Sequence, residues 1–430
     1  ESLFNKIIRL VLEAREKKAS VETFIEKFAN KYVPIVLALS IGLMLLGPVL
    51  IGGSSLTWIY RGLVLLVLSC PCALTISVPA GMVAGIVNAA RRGILVKGGK
   101  HLEALAEART IILDKTGTLT QGELQVKNVV SLDGEIVPRD ILLLAASVTS
   151  LSNHPISRAI TEKAKSEGLQ LLETTKFKEH PGRGVSGIVD ELHILIGNTK
   201  LLEEYGVEAD NAVRDTTSKI QKPGSKAVYV AINNRVAGVI ILEDQIKQRA
   251  KEVINMLKSR GLRVVMMTGD DRHIAEKVAR ELGIDEYYAN MLPHEKTKEI
   301  KRLSRQGSSV IFVGDGINDA PAIATADVGV AMGMRGIDVT IETADVVLAN
   351  DDLMNIPYLV DLARKTKQVV SFNVYTSILF KFLLVVFAIF GFITLIEAVV
   401  IGDDGLALMV ATNSLRILKH KGIFVANKQS

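Results

Sequence analysis

The sequence predicts an α-helical membrane bundle joined to an α/β part, a doubly wound parallel sheet into which a smaller α+β domain is inserted. Three observations carry this. Uncharged apolar runs occupy residues 33–60 and 62–90, and further long apolar stretches follow residue 371. Short apolar runs end in acids at Asp114, Asp270 and Asp315, with helical patterns between the later two. Residues 122–241 separate the first of these strands from the others and carry strand patterns of their own at 187–196 and 227–241. Strands alternating with helices make a parallel sheet, and 430 residues suit two or three domains of roughly 100–200 each.

Composition agrees. The chain is 48% hydrophobic but only 5% aromatic, with a mean hydropathy of +0.30, as expected of membrane spans mixed with ordinary globular sequence. The net charge of +5 comes with no basic block interleaved with aromatics, which argues against nucleic acid as a partner. The first residue is Glu1, and the opening pattern is that of a helix already under way, so the chain is expected to begin inside a longer protein.

Residues 1–32 read as an amphipathic charged helix leading to a membrane. Residues 33–52 supply the ~20 apolar residues that a span requires, and Gly52, Gly53, Ser54 and Ser55 form a loop. Residues 62–90 exceed one straight span, and breaks are expected at Pro71 and near Pro79 because proline removes a backbone donor. Pro71 sits between Cys70 and Cys72, the chain's two cysteines. Two cysteines cannot build a disulfide framework. Thiols at a helix break within a membrane, where freed backbone groups must line a cavity or be buried in protein, read as an ion site. Basic clusters at Arg91, Arg92, Lys97 and Lys100, at Arg364, Lys365 and Lys367, and at Arg416, Lys419 and Lys421 place both ends of each hairpin on the cytoplasmic side. The last two spans are expected at 371–396, containing Lys381, and at 397–418, containing Asp403 and Asp404.

The stretch Asp114, Lys115, Thr116, Gly117, Thr118, Leu119 and Thr120 (DKTGTLT) follows the apolar run Thr110, Ile111, Ile112 and Leu113. A strand delivers Asp114 to the sheet's carboxyl edge, where open α/β folds bind ligands. The Gly117 turn brings backbone N–H groups towards an anion, and Lys115 and Thr116 add a cation and a hydroxyl. These residues outline a phosphate-handling site.

DKTGTLT, His154-Pro155, PGRGVSG at 181–187, MTGDD at 267–271, Lys296 and GDGINDAPA at 314–322 occur in that order. Together they resemble the C-terminal two-thirds of a heavy-metal-transporting P-type ATPase of the zinc, cadmium and lead class. The resemblance implies a haloacid-dehalogenase-like (HAD-like) phosphorylation domain at 109–121 and 242–345 and a nucleotide-binding domain at 122–241. The lead-in helix and two spans then occupy 1–108, and a linker helix with two spans occupies 346–430. It implies that Asp114 takes the γ-phosphoryl of ATP. Asp315 would hold Mg²⁺ with the Asp114 carboxylate and the Thr116 carbonyl, with Asp319 near. Lys296 and Thr268 would hold phosphoryl oxygens, with Asn318 supporting and Asp270 contributing to nucleotide handling. His154 and the Gly182-Arg183-Gly184 turn match the adenine-binding elements, although Thr149 stands where the family commonly has Glu.

The implied transport site is Cys70, Cys72, Lys381 and Asp403. Soft thiolates with a carboxylate suit a divalent ion, and the pairing of CPC with a D-x-G helix points to zinc, cadmium or lead. Asp404 stays open as the alternative ligand. No T-G-E motif occurs, so the actuator portion is expected elsewhere in a longer protein, in the plasma membrane of a prokaryote. The alternatives are a copper(I) pump, a truncated metal-binding or regulatory fragment, and a phosphatase on a membrane anchor.

Overall fold

The computed structural model describes residues 20–132, 134–207, 211–220, 225–307, 309–316, 319–333 and 342–420. The first nineteen residues of the expected lead-in helix, Asn318 and Lys421 lie outside the described residues.

The described chain opens with α1 (Ser20–Leu50), turns through Gly52 and Gly53, and returns as α2 (Ser55–Leu68). Trp58 Nε1 donates to the Gly52 carbonyl at 2.8 Å and pins the turn. The return helix starts at Ser55 rather than Gly62. Arg61 is tolerated inside it because its guanidinium lies 5.0 Å from the Trp58 ring centroid, a favourable cation–π placement. After the break at Pro71 comes α3 (Cys72–Ala90). Pro79 lies inside α3 without interrupting it, which corrects the expected second break. One missing bond in a long packed helix leaves the rest of the ladder intact.

Next come β1 (Ile94–Val96), α4 (Gly99–Glu107), β2 (Thr110–Asp114) and β3 (Thr120–Ser131). Two helices, α5 (Pro138–Thr149) and α6 (Pro155–Ser166), precede β4 (Thr174–His180), β5 (Gly184–Val189) and β6 (Leu192–Gly197). Then follow α7 (Thr199–Glu204), α8 (Asn211–Ile220), β7 (Lys226–Ile232) and β8 (Arg235–Ile246). The α/β alternation continues with α9 (Ala250–Ser259), β9 (Arg263–Met267), α10 (Arg272–Leu282) and β10 (Glu286–Tyr288). It ends with α11 (Pro293–Ser304), β11 (Val310–Gly314), α12 (Ala320–Thr325), β12 (Val328–Met332) and β13 (Val346–Leu348). The chain closes with α13 (Asn355–Ile389) and, after an irregular stretch, α14 (Leu406–Leu415).

The chain divides into two compact units, one of residues 1–112, 255–264 and 293–430 and the other of 113–254 and 265–292. In the first, the strands are ordered β1-β13-β12-β11, followed by the opening residues of β2 and β9. β11, β12 and β13 are parallel neighbours, whereas β1 joins β13 antiparallel, Ile94 opposite Leu348. This edge strand, of only three residues beside the α3 exit, departs from the all-parallel expectation; antiparallel edges on parallel sheets are common. Arg109 N donates to Ser309 O at 3.3 Å and Arg109 O accepts from Arg263 N at 2.8 Å, so β11, β2 and β9 begin level.

In the same unit, α13 is a single helix that includes both the expected linker and the third span. Its start is buried, at Ile356, Tyr358, Leu359 and Leu362, while Phe372, Tyr375, Leu379 and Phe382 are exposed. The Arg260 guanidinium clasps Asp361 with bonds of 2.7 and 2.6 Å, and Arg364 donates to the Arg260 carbonyl at 2.7 Å. Among the described residues, three stretches are long and apolar enough to cross a membrane: Ala29–Leu50, Ser55–Ala90 and Asn355–Ile389. The stretch expected as a fourth span at 397–418 is helical throughout but changes its winding, from Leu395–Glu397 through a wide π-type turn over Ala398–Gly405 and α14 to a tight final turn over Arg416–Lys419. Such wide turns recur at functional positions, and this one carries Asp403.

The second unit holds a six-stranded antiparallel sheet ordered β3-β8-β7-β6-β5-β4. Its strands alternate between two cores. Ile194 and Ile196, Val228 and Val230, and Ile240 and Leu242 pack with α5 and α6. Leu195, Tyr229, Ala231, Val239 and Ile241 pack on the other face with Leu201 and Leu202 of α7. Coverage of both faces is why these strands read as continuous apolar runs. β9 and β10 pair in parallel, also within this unit.

Candidate functional site

Four groups of predicted residues are held by these elements. In the second unit, β2 ends at Asp114, which is buried. The next residues turn sharply, with Gly117 at φ +72°, a left-handed conformation that glycine adopts without strain. Lys115 Nζ lies 2.5 Å from Asp270 Oδ2, and the buried Thr268 hydroxyl donates to the same carboxylate oxygen at 2.9 Å. Thr268 N donates to Tyr288 O at 3.0 Å, which fixes the end of β9 against β10. Lys115, Thr268 and Asp270 are thus brought into one bonded group.

Two further residues here went unnoticed in the sequence. Asp244 accepts from the Thr120 hydroxyl at 2.6 Å and from Gly122 N at 3.0 Å. Burial pushes its carboxyl above the ordinary range, a shift moderated by the Thr120 bond and by Lys115. Lys247 Nζ donates to the Gly117 carbonyl at 3.2 Å. Asp244 carries the same signal as Asp114, an apolar run ending in acids, and could have been found by it.

In the first unit, Lys296 Nζ and Asp319 Oδ1 are 2.7 Å apart with both side chains buried. A buried cation next to a carboxylate is held in one orientation, so Lys296 is not the ordinary surface lysine that its position on a polar helix suggests. Asp315 follows directly on β11 and is partly buried.

The second unit also contains a cavity of about 520 Å³. Its lining includes His154, Glu179, His180, Gly182, Gly184 and Lys226. His154 caps α6, its Nδ1 accepting from Ile156 N at 3.2 Å. Thr149 is not among the lining residues. It is buried, donates to Ala145 O at 2.8 Å and meets Thr161 Oγ1 at 3.2 Å, so the departure from the family's Glu is a packing position here.

Gly184 has φ +149°, and a Cβ there would lie 2.1 Å from the Ile196 carbonyl oxygen. Gly184→Ala is therefore expected to force β5 and β6 apart, with a stability loss of about 3 kcal/mol, measurable by thermal unfolding.

His180 is buried, lies 3.0 Å from the Ser186 hydroxyl and 3.3 Å from Tyr205 Oη, and has its pKa lowered by burial against a smaller opposing effect of Glu204. Its neutral form is favoured on folding. The unfolded chain then binds the extra proton first as pH falls through the ordinary histidine value of 6.5, so stability drops on that side. His180→Gln is expected to flatten the decline in thermal stability between about pH 7 and 5.5.

In the first unit, the break between α2 and α3 presents Cys70 and Cys72, whose sulfurs are joined in this structure. Their Sγ atoms and an Asp403 carboxylate oxygen all lie within 4.8 Å of one another. Lys381 Nζ contacts Asp403 Oδ1 at 3.1 Å and also the Cys70 carbonyl. Asp404 is exposed and outside this group. The donors are therefore two sulfurs and one carboxylate, with a cation on α13 among them. The thiols must be reduced to ligate a metal.

A family model described as haloacid dehalogenase-like hydrolase matches residues 108–327. A zinc-transporting ATPase of Synechocystis sp. is 41% identical over 97% of this chain and 57% of its own length. A cadmium-transporting ATPase of Staphylococcus aureus is 36% identical over 98% of this chain and 58% of its own. The crystal structure of a zinc-transporting PIB-type ATPase in an E2.Pi state superposes with a TM-score of 0.83 at 35% identity, covering 97% of this chain and 67% of that one. The chain thus spans less than two thirds of the length of these two relatives. Its family model covers half its length, and the metal-transporting ATPases align with nearly the whole chain, its apolar helices included. It belongs to the heavy-metal-transporting P-type ATPases, membrane proteins built on a haloacid dehalogenase-like hydrolase domain.

Proposed function

We propose that the chain is the catalytic and transport portion of an ATP-driven exporter of soft divalent metal ions, zinc or cadmium foremost and lead among them. The observation that carries this is the convergence of Cys70, Cys72 and Asp403 in a chain that also bears the DKTGTLT turn. The carboxylate distinguishes the site from one for copper(I), which soft donors alone would serve. Two thiolates and a carboxylate balance a divalent ion and the Lys381 ammonium, so the loaded site is neutral where net charge is costly. With the metal gone, Lys381 is already placed to hold Asp403.

In the catalytic part, an Asp114 oxygen attacks the γ-phosphorus of ATP, the bond to the β-phosphate oxygen breaks, and ADP leaves. Such transfer is driven by positioning and charge neutralisation. Hard oxygen donors suit Mg²⁺: Asp114, Asp315 and the Thr116 carbonyl would hold it, and when bound it neutralises phosphate charge. Support comes from β2, β9 and β11, strands of five residues each that begin level. Thr268 and Lys296 then hold phosphoryl oxygens, Asp319 orients Lys296, Asn318 supports, and Asp270 orients Lys115. His154, Gly182 and Gly184 line the nucleotide cavity. The basic clusters at the helix ends support a reading with the catalytic domains on the cytoplasmic side of a prokaryotic plasma membrane. The actuator and remaining membrane helices would be supplied by the rest of the protein.

The test is labelling of the whole protein with γ-labelled ATP under reductant across zinc, cadmium, lead and reduced copper. An acid-stable, hydroxylamine-sensitive label stimulated by the divalent metals, and unresponsive to them in Cys70→Ala/Cys72→Ala, is expected. Stimulation by copper alone would overturn the metal assignment.

A further inference from the structure

Serine hydroxyls in apolar helices ordinarily bond back to the carbonyl of the preceding turn. Ser414 does so, donating to Val410 O at 2.9 Å, as does Thr366 to Leu362 O at 2.8 Å. Ser77 on α3 and Ser377 on α13 do not. Both are completely buried, and neither Oγ has a hydrogen-bond partner. A buried hydroxyl without a partner is unfavourable, and more so at membrane depth.

These two hydroxyls belong to a file of polar groups that starts at the cysteine break. Ser377 precedes Lys381 by one turn and Asn373 precedes it by two, so all three share one stripe of α13. Ser77 follows Cys72 by five residues on α3. Asn373 Nδ2 donates to Val410 O at 3.1 Å and to Ser414 Oγ at 3.0 Å, and Asn413 Nδ2 donates to Asn373 Oδ1 at 2.6 Å. Ser414 Oγ also lies 3.4 Å from Ser77 O, which closes the group across the three helices. At 1.5 Å rise per residue, the file covers about 6–12 Å along the bundle from Lys381. It runs towards the end where α3 passes into β1 and α13 begins.

We propose that the Ser77 and Ser377 hydroxyls, with Asn373, Asn413 and Ser414 bonded to one another and bracing the helices beside them, form a second, weak cation site, an oxygen-lined waypoint where a partly hydrated divalent metal ion rests before it reaches Cys70 and Cys72. This rests on the reading of those cysteines and Asp403 as the transport site. Neutral oxygens replace part of a hydration shell without binding a soft ion tightly. Transfer onward to thiolates is then downhill, and the waypoint speeds loading without trapping its cargo.

The test measures metal-stimulated ATPase activity and initial ATP-driven cadmium uptake for the whole protein in proteoliposomes. Ser77→Ala/Ser377→Ala is expected to raise the cadmium concentration for half-maximal stimulation about 5–10-fold, with the maximal rate within about twofold. Metal-free phosphorylation of Asp114 by inorganic phosphate should be unchanged, which shows that the variant folds. Ser377→Thr, which keeps the hydroxyl, should restore the unsubstituted value. An unchanged half-maximal concentration in the double alanine variant would overturn the waypoint and leave the serines as helix packing. If the unsubstituted protein ignored metal, or Cys70→Ser did not abolish stimulation, the transport site itself would fail and the waypoint with it.

Discussion

Asp114→Asn is expected to abolish the phosphorylated intermediate and to lower ATP turnover by at least about 10⁴-fold, as removal of a nucleophile does in other covalent mechanisms. Asn has the same shape but no anionic oxygen to form the acyl phosphate. Asp114 is buried at the end of a strand whose five residues are all buried, so the isosteric change leaves β2 in place. Asp114→Glu is expected to fail nearly as completely. One added methylene displaces the carboxylate by more than 1 Å, and displacement on that scale costs a positioned reaction about 10²-fold or more. The measurement is acid-quenched labelling beside steady-state ATPase activity. Nucleotide binding in the His154 cavity should persist in both variants, and residual labelling of Asp114→Asn at the unsubstituted level would place the phosphoryl acceptor elsewhere.

The second large effect is expected at the helix break. Cys70→Ser/Cys72→Ser should remove metal stimulation altogether while phosphorylation by inorganic phosphate survives, because serine keeps the packing but is a poor ligand for soft ions. Lys381→Ala should impair the cycle at the opposite step. Lys381 contacts both Asp403 and the Cys70 carbonyl, and without it the empty site would keep uncompensated negative charge in the membrane. Metal is then expected to bind more tightly and leave more slowly, so turnover falls while the half-stimulating metal concentration does not rise. A Lys381→Ala variant transporting at the unsubstituted rate would remove the counterion role.

The parts most legible from sequence were those whose chemistry is concentrated in a few adjacent residues. Asp114 and its glycine turn, and Cys70-Pro71-Cys72, each announce themselves within a short stretch. Pairings across long separations did not. Nothing near Lys296 indicates that Asp319 lies 2.7 Å from it, and Lys115 gives no hint of Asp270. Asp403 and Asp404 are adjacent, and only the D-x-G spacing favours Asp403 in the sequence; in the structure it is the Asp403 carboxylate that lies within 4.8 Å of both sulfurs. Boundaries failed where tertiary contacts overrode a local rule. Arg61 ends an apolar run in the sequence, which does not show the Trp58 ring that accommodates it. Pro79 signals a break by its local chemistry, whereas α3 continues past it. The three-residue β1 was too short for periodicity to register.

In the proposed function, ATP hydrolysis at Asp114 drives a soft divalent ion through the site at Cys70, Cys72 and Asp403. The most direct measurement is ATP-dependent accumulation of zinc and cadmium in inside-out vesicles containing the whole protein, kept reduced, beside the same vesicles carrying Asp114→Asn. Saturable uptake of both ions, absent without ATP, absent in the variant and not competed by copper(I), is the expected result. Uptake that persists in Asp114→Asn, or an uptake confined to copper(I), would contradict it.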